Sequence, residues 1–80
     1  METRVAVISI IIENPDSVQA MNELLHQYSS YIIGRMGIPY REKGISIISI
    51  AMDAPQDKIS ALSGKIGRLS GVTAKAAYSR

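Results

Sequence analysis

"VAVISIIIENPDSVQAMNELLHQY", residues 5–28, decides the fold. An aliphatic run, Val5–Ile12, stops at Glu13-Asn14-Pro15-Asp16. A stripe of Val18, Met21, Leu25 and Tyr28 follows at spacings of three, four and three. That spacing puts the four side chains on one face of a helix. Pro15 suits a first helical turn, where its missing N–H costs nothing, and Asn14 can cap. Asp16 then lies near the positive end of the helix dipole. The stretch therefore predicts strand, turn and helix.

The pattern returns. A second aliphatic run ends in Met52-Asp53-Ala54-Pro55-Gln56, with Pro15 and Pro55 40 positions apart. Ile59, Leu62, Ile66 and Leu69 repeat the spacing of three, four and three, at an offset of 41 in a chain of 80 residues. Asp53 or Ala54 is expected to cap this helix, with Pro55 and Asp57 in its first turn. Gly64 and Gly67 weaken it by roughly 1 kcal/mol each against alanine. Gly67 or Gly71 is expected to end it, and the first helix to end near Tyr28–Ser30. Strands are expected at about 4–13, 31–39, 44–53 and 71–78. The order βαββαβ predicts one α+β ferredoxin-like domain over residues 1–80, with a four-stranded antiparallel sheet and two helices on one face.

In that fold the first and third strands are central, and both are apolar on each face. Val5, Val7 and Ile11 alternate with Ala6, Ile8, Ile10 and Ile12; Ile45 and Ile47 alternate with Ile48, Ile50 and Met52. Helices cover only one face, so a second copy is expected on the other, as a homodimer or tetramer. Size points the same way. So short a chain buries only ~60% of its unfolded surface. It has no cysteine for disulfides or thiolate sites, and one histidine, His26. Oligomerisation is the staple that remains. Strands two and four read as edges: Gly34, Gly37 and Pro39 thin the second, and Lys75 guards the fourth against further pairing.

The formal net charge is +2, far from the dense basic face of a nucleic-acid binder. RNA-binding sheets also need aromatics on central strands, and none of the tyrosines falls there. No apolar run approaches the roughly 18 residues of a membrane span. No cleavage-site pattern follows Val5–Ile12, so a buried strand of a cytoplasmic protein is expected rather than a signal peptide. Asp16, Asp53 and Asp57 are explained by helix starts, Glu42 by a charged turn, and His26 by a helix end. No catalytic, metal or cofactor site is expected.

"GRMGIPYREKG", residues 34–44, is the most unusual stretch. It lacks the Gly-Lys-Ser/Thr ending of a phosphate loop and precedes a strand rather than a helix. Arg41-Glu42-Lys43-Gly44 makes a reasonable turn, with glycine free to take a positive φ. One reading is a solvated turn beside a glycine-thinned edge. The other is an interface site for a small anion, where arginine grips carboxylate or phosphate.

"IIGRMGIPYREKGISII" and "ISALSGKIG", within matching sequence over essentially the whole chain, closely resemble the small regulators of the iron-only hydrogenase system. The resemblance implies a ferredoxin-like fold similar to ACT domains and to the C-terminal domain of nickel-responsive repressors. It implies association with hydrogenase and its maturation in anaerobes, and hydrogenase-system proteins as partners. The repressors build their metal site from histidines on strand two and a cysteine opening strand three. Here those regions hold Arg35, Met36 and Ile38, and Gly44, so nickel sensing does not carry over. Nor is there room for the repressors' separate DNA-binding domain, so regulation is expected through a ligand or protein partners. ACT domains bind amino acids near the loop that is Glu13–Ser17 here. That loop offers backbone donors, although its acidic side chains disfavour an anion. The candidate ligand residues are thus Asn14, Ser17, Arg35, Gly37, Tyr40 and Arg41, for a small anionic or amino-acid ligand.

Overall fold

Asn14 turns the chain out of the first strand in the computed structural model, which describes residues 2–79. Its Oδ1 accepts the Asp16 N–H at 3.0 Å. Pro15–Ser17 form a single 3-10 turn, and the α-helix proper begins at Val18. The elements are β1 (Arg4–Ile12), α1 (Val18–Gln27), β2 (Ile32–Tyr40), β3 (Ile45–Ala54), α2 (Gln56–Gly67) and β4 (Val72–Tyr78). Every strand pair is antiparallel, in the order β2-β3-β1-β4. This is the ferredoxin-like α+β arrangement, with β1 and β3 central.

Ala6, Ile8, Ile10 and Ile12 of β1 and Ile48, Ile50, Met52 and Ala54 of β3 are buried beneath the helices. Met21, Leu25 and Tyr28 of the first stripe and Ile59, Leu62 and Ile66 of the second complete the core. Each large side chain buried there contributes about 1.5–3 kcal/mol relative to exposure. Val18 and Leu69 pack at its margin. Lys65 Nζ donates to Tyr28 Oη at 3.1 Å, joining the two helices over the core.

The second helix starts differently from the first. Pro55 is extended (φ −57°, ψ 146°) and stands at the N-cap, outside the first turn. Its carbonyl accepts the N–H groups of Lys58 and Ile59 at 3.0 and 3.2 Å. Asp53 and Ala54 do not cap, because both still belong to β3, paired with Val5 and Arg4. Gly67 is the last residue of α2. Gly71 instead opens β4 with φ +66°, and Gly44 ends the β2–β3 turn with φ +64°.

Gly71 also meets a neighbour. A Cβ there would stand 2.6 Å from Asn14 Cβ and 2.9 Å from Asn14 N, and the adjacent Glu13 N–H donates to the Gly71 carbonyl at 2.7 Å. Gly71→Ala is therefore expected to destabilise the protein by about 2 kcal/mol or more. Gly64 is exposed within α2, and a Cβ there meets nothing within 4 Å. Gly64→Ala is expected to stabilise by roughly 0.5–1 kcal/mol. Urea denaturation of the two variants should give shifts of opposite sign.

Candidate functional site

The sheet face away from the helices is built by alternation. Val5, Val7, Ser9 and Ile11 of β1 lie beside Asp53, Ala51, Ser49 and Ile47 of β3. β2 adds Gly34, Met36, Ile38 and Tyr40, and β4 adds Thr73, Lys75 and Ala77. Ile38, Ile47 and Ile11 form one continuous aliphatic row across three strands. Seven large apolar side chains on this face, Val5, Val7, Ile11, Met36, Ile38, Tyr40 and Ile47, are 38–55% exposed. Ser9 and Ser49 pair at its middle. Its charges, Lys75 and Asp53, lie on an edge strand and at the end of a central one.

A β-bulge decides which way β2 presents its residues. Ile32 pairs with Met52 and Gly34 with Ala51, so Ile33 is the extra residue in the strand. The insertion reverses the alternation. Without it, Arg35 would share a face with Ile33 and point away from Ile32. With it, Arg35 pairs with Ile50 and Gly37 with Ile48, both on the helix side. Met36, Ile38 and Tyr40 turn to the open face. Bulges commonly re-aim side chains in this way.

The six candidate ligand residues fall in separate places. Arg35 reaches Asn22 of α1, donating from Nη2 to Oδ1 at 3.4 Å. Gly37 lies on the same side of β2, whereas Tyr40 lies on the open face and donates to Glu42 Oε2 at 3.2 Å. Arg41 is in the exposed turn, its carbonyl accepting the Gly44 N–H at 3.1 Å. Asn14 and Ser17 hold the β1–α1 loop to the loop before β4. Asn14 Nδ2 donates to Ser70 Oγ at 3.2 Å, and the buried Ser17 Oγ donates to the Ser70 carbonyl at 2.6 Å. Their polar atoms are engaged within the fold.

A grouping that local sequence does not signal surrounds Arg35. Asn22, His26 and Ser29, from α1 and the turn after it, form a cleft with Arg35 over Leu25, Ile32, Ile33 and Gly34. Its volume is about 410 Å³. Among the described residues, no acidic one lines it. Arg4 is a second position with an unsignalled role. It donates to Gln56 Oε1 at 2.6 Å and to the Ser79 carbonyl at 2.9 Å, and stacks 4.6 Å from the Tyr78 ring centre. It binds the start of β1 to α2 and to the end of β4. Among the described residues, no three His, Cys, Asp or Glu side chains gather to hold a metal ion, and no helix is long and apolar enough to cross a membrane.

The model of the TM1266-like family, described as "Iron-only hydrogenase system regulator, putative", matches residues 4–76. The solved structure of the uncharacterized protein TM1266 from Thermotoga maritima is 36% identical, with a TM-score of 0.94 over 99% of this chain and 100% of that one. A "Putative nickel-responsive regulator" from Saccharolobus solfataricus is 27% identical over 66 residues, 82% of this chain and 49% of that protein. The chain thus spans about half the length of that curated relative. The C-terminal domain of the MgtC protein from Mycobacterium tuberculosis shares the fold, with a TM-score of 0.70 at 13% identity over 95% of this chain and 87% of that domain.

The contacts of Asn14 and Ser17 carry an expectation for stability. Asn14→Ala removes a cap and is expected to cost about 1 kcal/mol. Ser17→Ala removes a short buried hydrogen bond and is expected to cost about 1–2 kcal/mol. Because both residues grip the same loop, the double variant should depart from the sum of the two losses. Chemical denaturation of the three variants measures this.

Proposed function

The chain belongs to the TM1266-like family of iron-only hydrogenase system regulators, and from that membership and the open sheet face we propose a non-enzymatic regulatory module that self-associates and senses a small ligand. The observation that supports assembly is the exposed aliphatic face of β1, β2 and β3. Four strands of about nine residues, at roughly 4.8 Å between strands and 3.3 Å per residue, give a face of roughly 20 by 30 Å. That is on the order of 600 Å², at the lower end of the ~600–1,000 Å² per partner that stable interfaces bury. Its aliphatic rows flank the Ser9–Ser49 pair, and its charges lie on an edge strand and at a strand end, a distribution compatible with an interface of mixed character. A second copy brings the same face, and twofold association is the commonest way for a patch to cover itself.

A protein adaptor for hydrogenase or its maturation factors is the second assignment for the same face. Met36, the most exposed of its seven large apolar side chains at 55%, favours it. Methionine adapts to unlike surfaces and is common where several partners bind. Under this assignment the module needs no small ligand and presents the face to a hydrogenase-system protein.

Light scattering during size exclusion distinguishes them. Self-association predicts at least two chains per particle at micromolar concentration. Ile47→Glu should convert the particle to a monomer with an unchanged far-UV spectrum, because a charge on a half-exposed strand position disturbs the face rather than the core. A wild-type protein that stays monomeric overturns the assembly. The adaptor assignment then predicts a one-to-one complex with a purified hydrogenase maturation protein, abolished by Ile47→Glu.

A further inference from the structure

We propose that the cleft between α1 and β2 binds a small carboxylate with an apolar body, held by Arg35 with Asn22, His26 and Ser29 above a floor of Leu25 and Ile32. This inference rests on the ligand-sensing role proposed above and gives it a place and a chemical class.

Three features of the cleft define the ligand. Its charge is positive and uncompensated by neighbours: Arg35 is a lining residue, and no carboxylate shares the lining. Among the described residues, the guanidinium's hydrogen bond goes to a neutral amide, Asn22 Oδ1, at a long 3.4 Å. A planar fork of five N–H donors is thereby left with capacity for a carboxylate, which it matches two atoms to two. The second feature is the ring of further donors. The Asn22 amide, the His26 imidazole and the Ser29 hydroxyl can each donate to the oxygens or to a polar substituent beside them. The third is the floor. Leu25 is buried and Ile32 half-buried. An apolar body of a few carbons fits against such a floor, whereas bare phosphate leaves it uncovered.

Position supports the same conclusion. The cleft borders the last turn of α1, whose carbonyls disfavour an anion in general. Here the Tyr28 N–H donates to the carbonyls of both Leu24 and Leu25, at 3.2 Å each. Two of the groups that would repel the ligand are thereby occupied. The cleft is also on the helix side of the sheet, away from the aliphatic face, so self-association leaves it open. The bulge at Ile33 is what makes the site, since it brings Arg35 and Ile32 to the same side of β2.

The test is an NMR titration of the ¹⁵N-labelled full chain with isovalerate, with isovaleramide and inorganic phosphate in parallel. Isovaleramide keeps the shape and removes the charge; phosphate keeps the charge and removes the apolar body. Isovalerate is expected to shift the amides of Leu25, Ser29, Gly34 and Arg35 in a saturable way. Both other probes should bind roughly ten-fold more weakly or worse. Arg35→Ala should weaken isovalerate at least ~10-fold, and Arg35→Lys by less, since it keeps the charge but loses the fork. Arg35 is exposed, so the variants should keep the wild-type spectrum elsewhere and remain folded. Phosphate or amide binding as tightly as isovalerate overturns the assignment, as do shifts that Arg35→Ala leaves in place. A thermal-shift screen of amino acids, 2-oxo acids and nucleotides reads the sensing role separately. Stabilisation by any of these without a response in the cleft overturns the cleft and leaves sensing standing. No stabilisation and no saturable shift removes both.

Discussion

Two helices cover one face of a four-stranded sheet, and the two central strands here are aliphatic on both. Everything else in the molecule adjusts to that constraint. On the helix side the β1 and β3 side chains meet two stripes of identical spacing, and the large ones among them lose nearly all contact with water. On the other side Val5, Val7, Ile11 and Ile47 keep more than a third of their surface exposed. Retaining so much apolar surface on so small a domain is unfavourable for solubility. That exposure is what the proposed assembly would relieve.

The bulge at Ile33 sets what each side of β2 can do. A strand has a period of two, so inserting one residue exchanges the faces of everything beyond it. Met36, Ile38 and Tyr40 extend the open aliphatic face because of that insertion. Arg35 leaves that face for the same reason and meets α1 instead. A regular β2 would have put a guanidinium on the apolar face and turned Met36, Ile38 and Tyr40 against the helices. One extra residue thus keeps the Arg35 guanidinium off the aliphatic face and gives it to the cleft.

Much of the architecture was legible because it depends on local chemistry. The stripes of three, four and three, the Asn14 cap, the edge character of a Gly- and Pro-containing β2, and the positive φ of Gly44 all rest on residues within a turn or two of one another. The start of α2 was not, because Pro55 can stand inside a first turn or just outside it. The choice falls to β3, which continues through Ala54 by pairing with Arg4. The bulge was not legible either: Ile32 and Ile33 are identical side chains, and neither marks which one leaves the ladder. The division of Arg35 from Tyr40 follows from the strand's period of two alone, and the bulge decides only which of them faces the helices. Arg35 and Tyr40 are five residues apart in sequence and on opposite faces in space. Asn14 and Ser17 looked available in a loop, but that loop meets residues 70–71 only after the chain has folded. His26 reads as an ordinary helix-end residue until β2 is laid beside it.

β2 is the element through which a ligand and an interface could influence one another. Arg35 borders the cleft, and its neighbour Met36 stands on the open face; Gly37 and Ile38 repeat the division. A ligand held by Arg35, as proposed, would restrain the same strand that contributes Met36 and Ile38 to the proposed assembly. Coupling does not follow from proximity alone. A ligand shifts the balance between free and assembled chains only by the difference in its affinity for the two. By linkage, assembly must then change ligand affinity by the same factor. An edge strand suits that role better than a central one. β2 is laddered to β3 on one side only, and a change in its twist need not pass through β1 or disturb the core beneath α2. The most deeply buried part of the fold, the β1–β3 pair with its two helical stripes, can therefore stay fixed while the edge that carries both proposed surfaces responds.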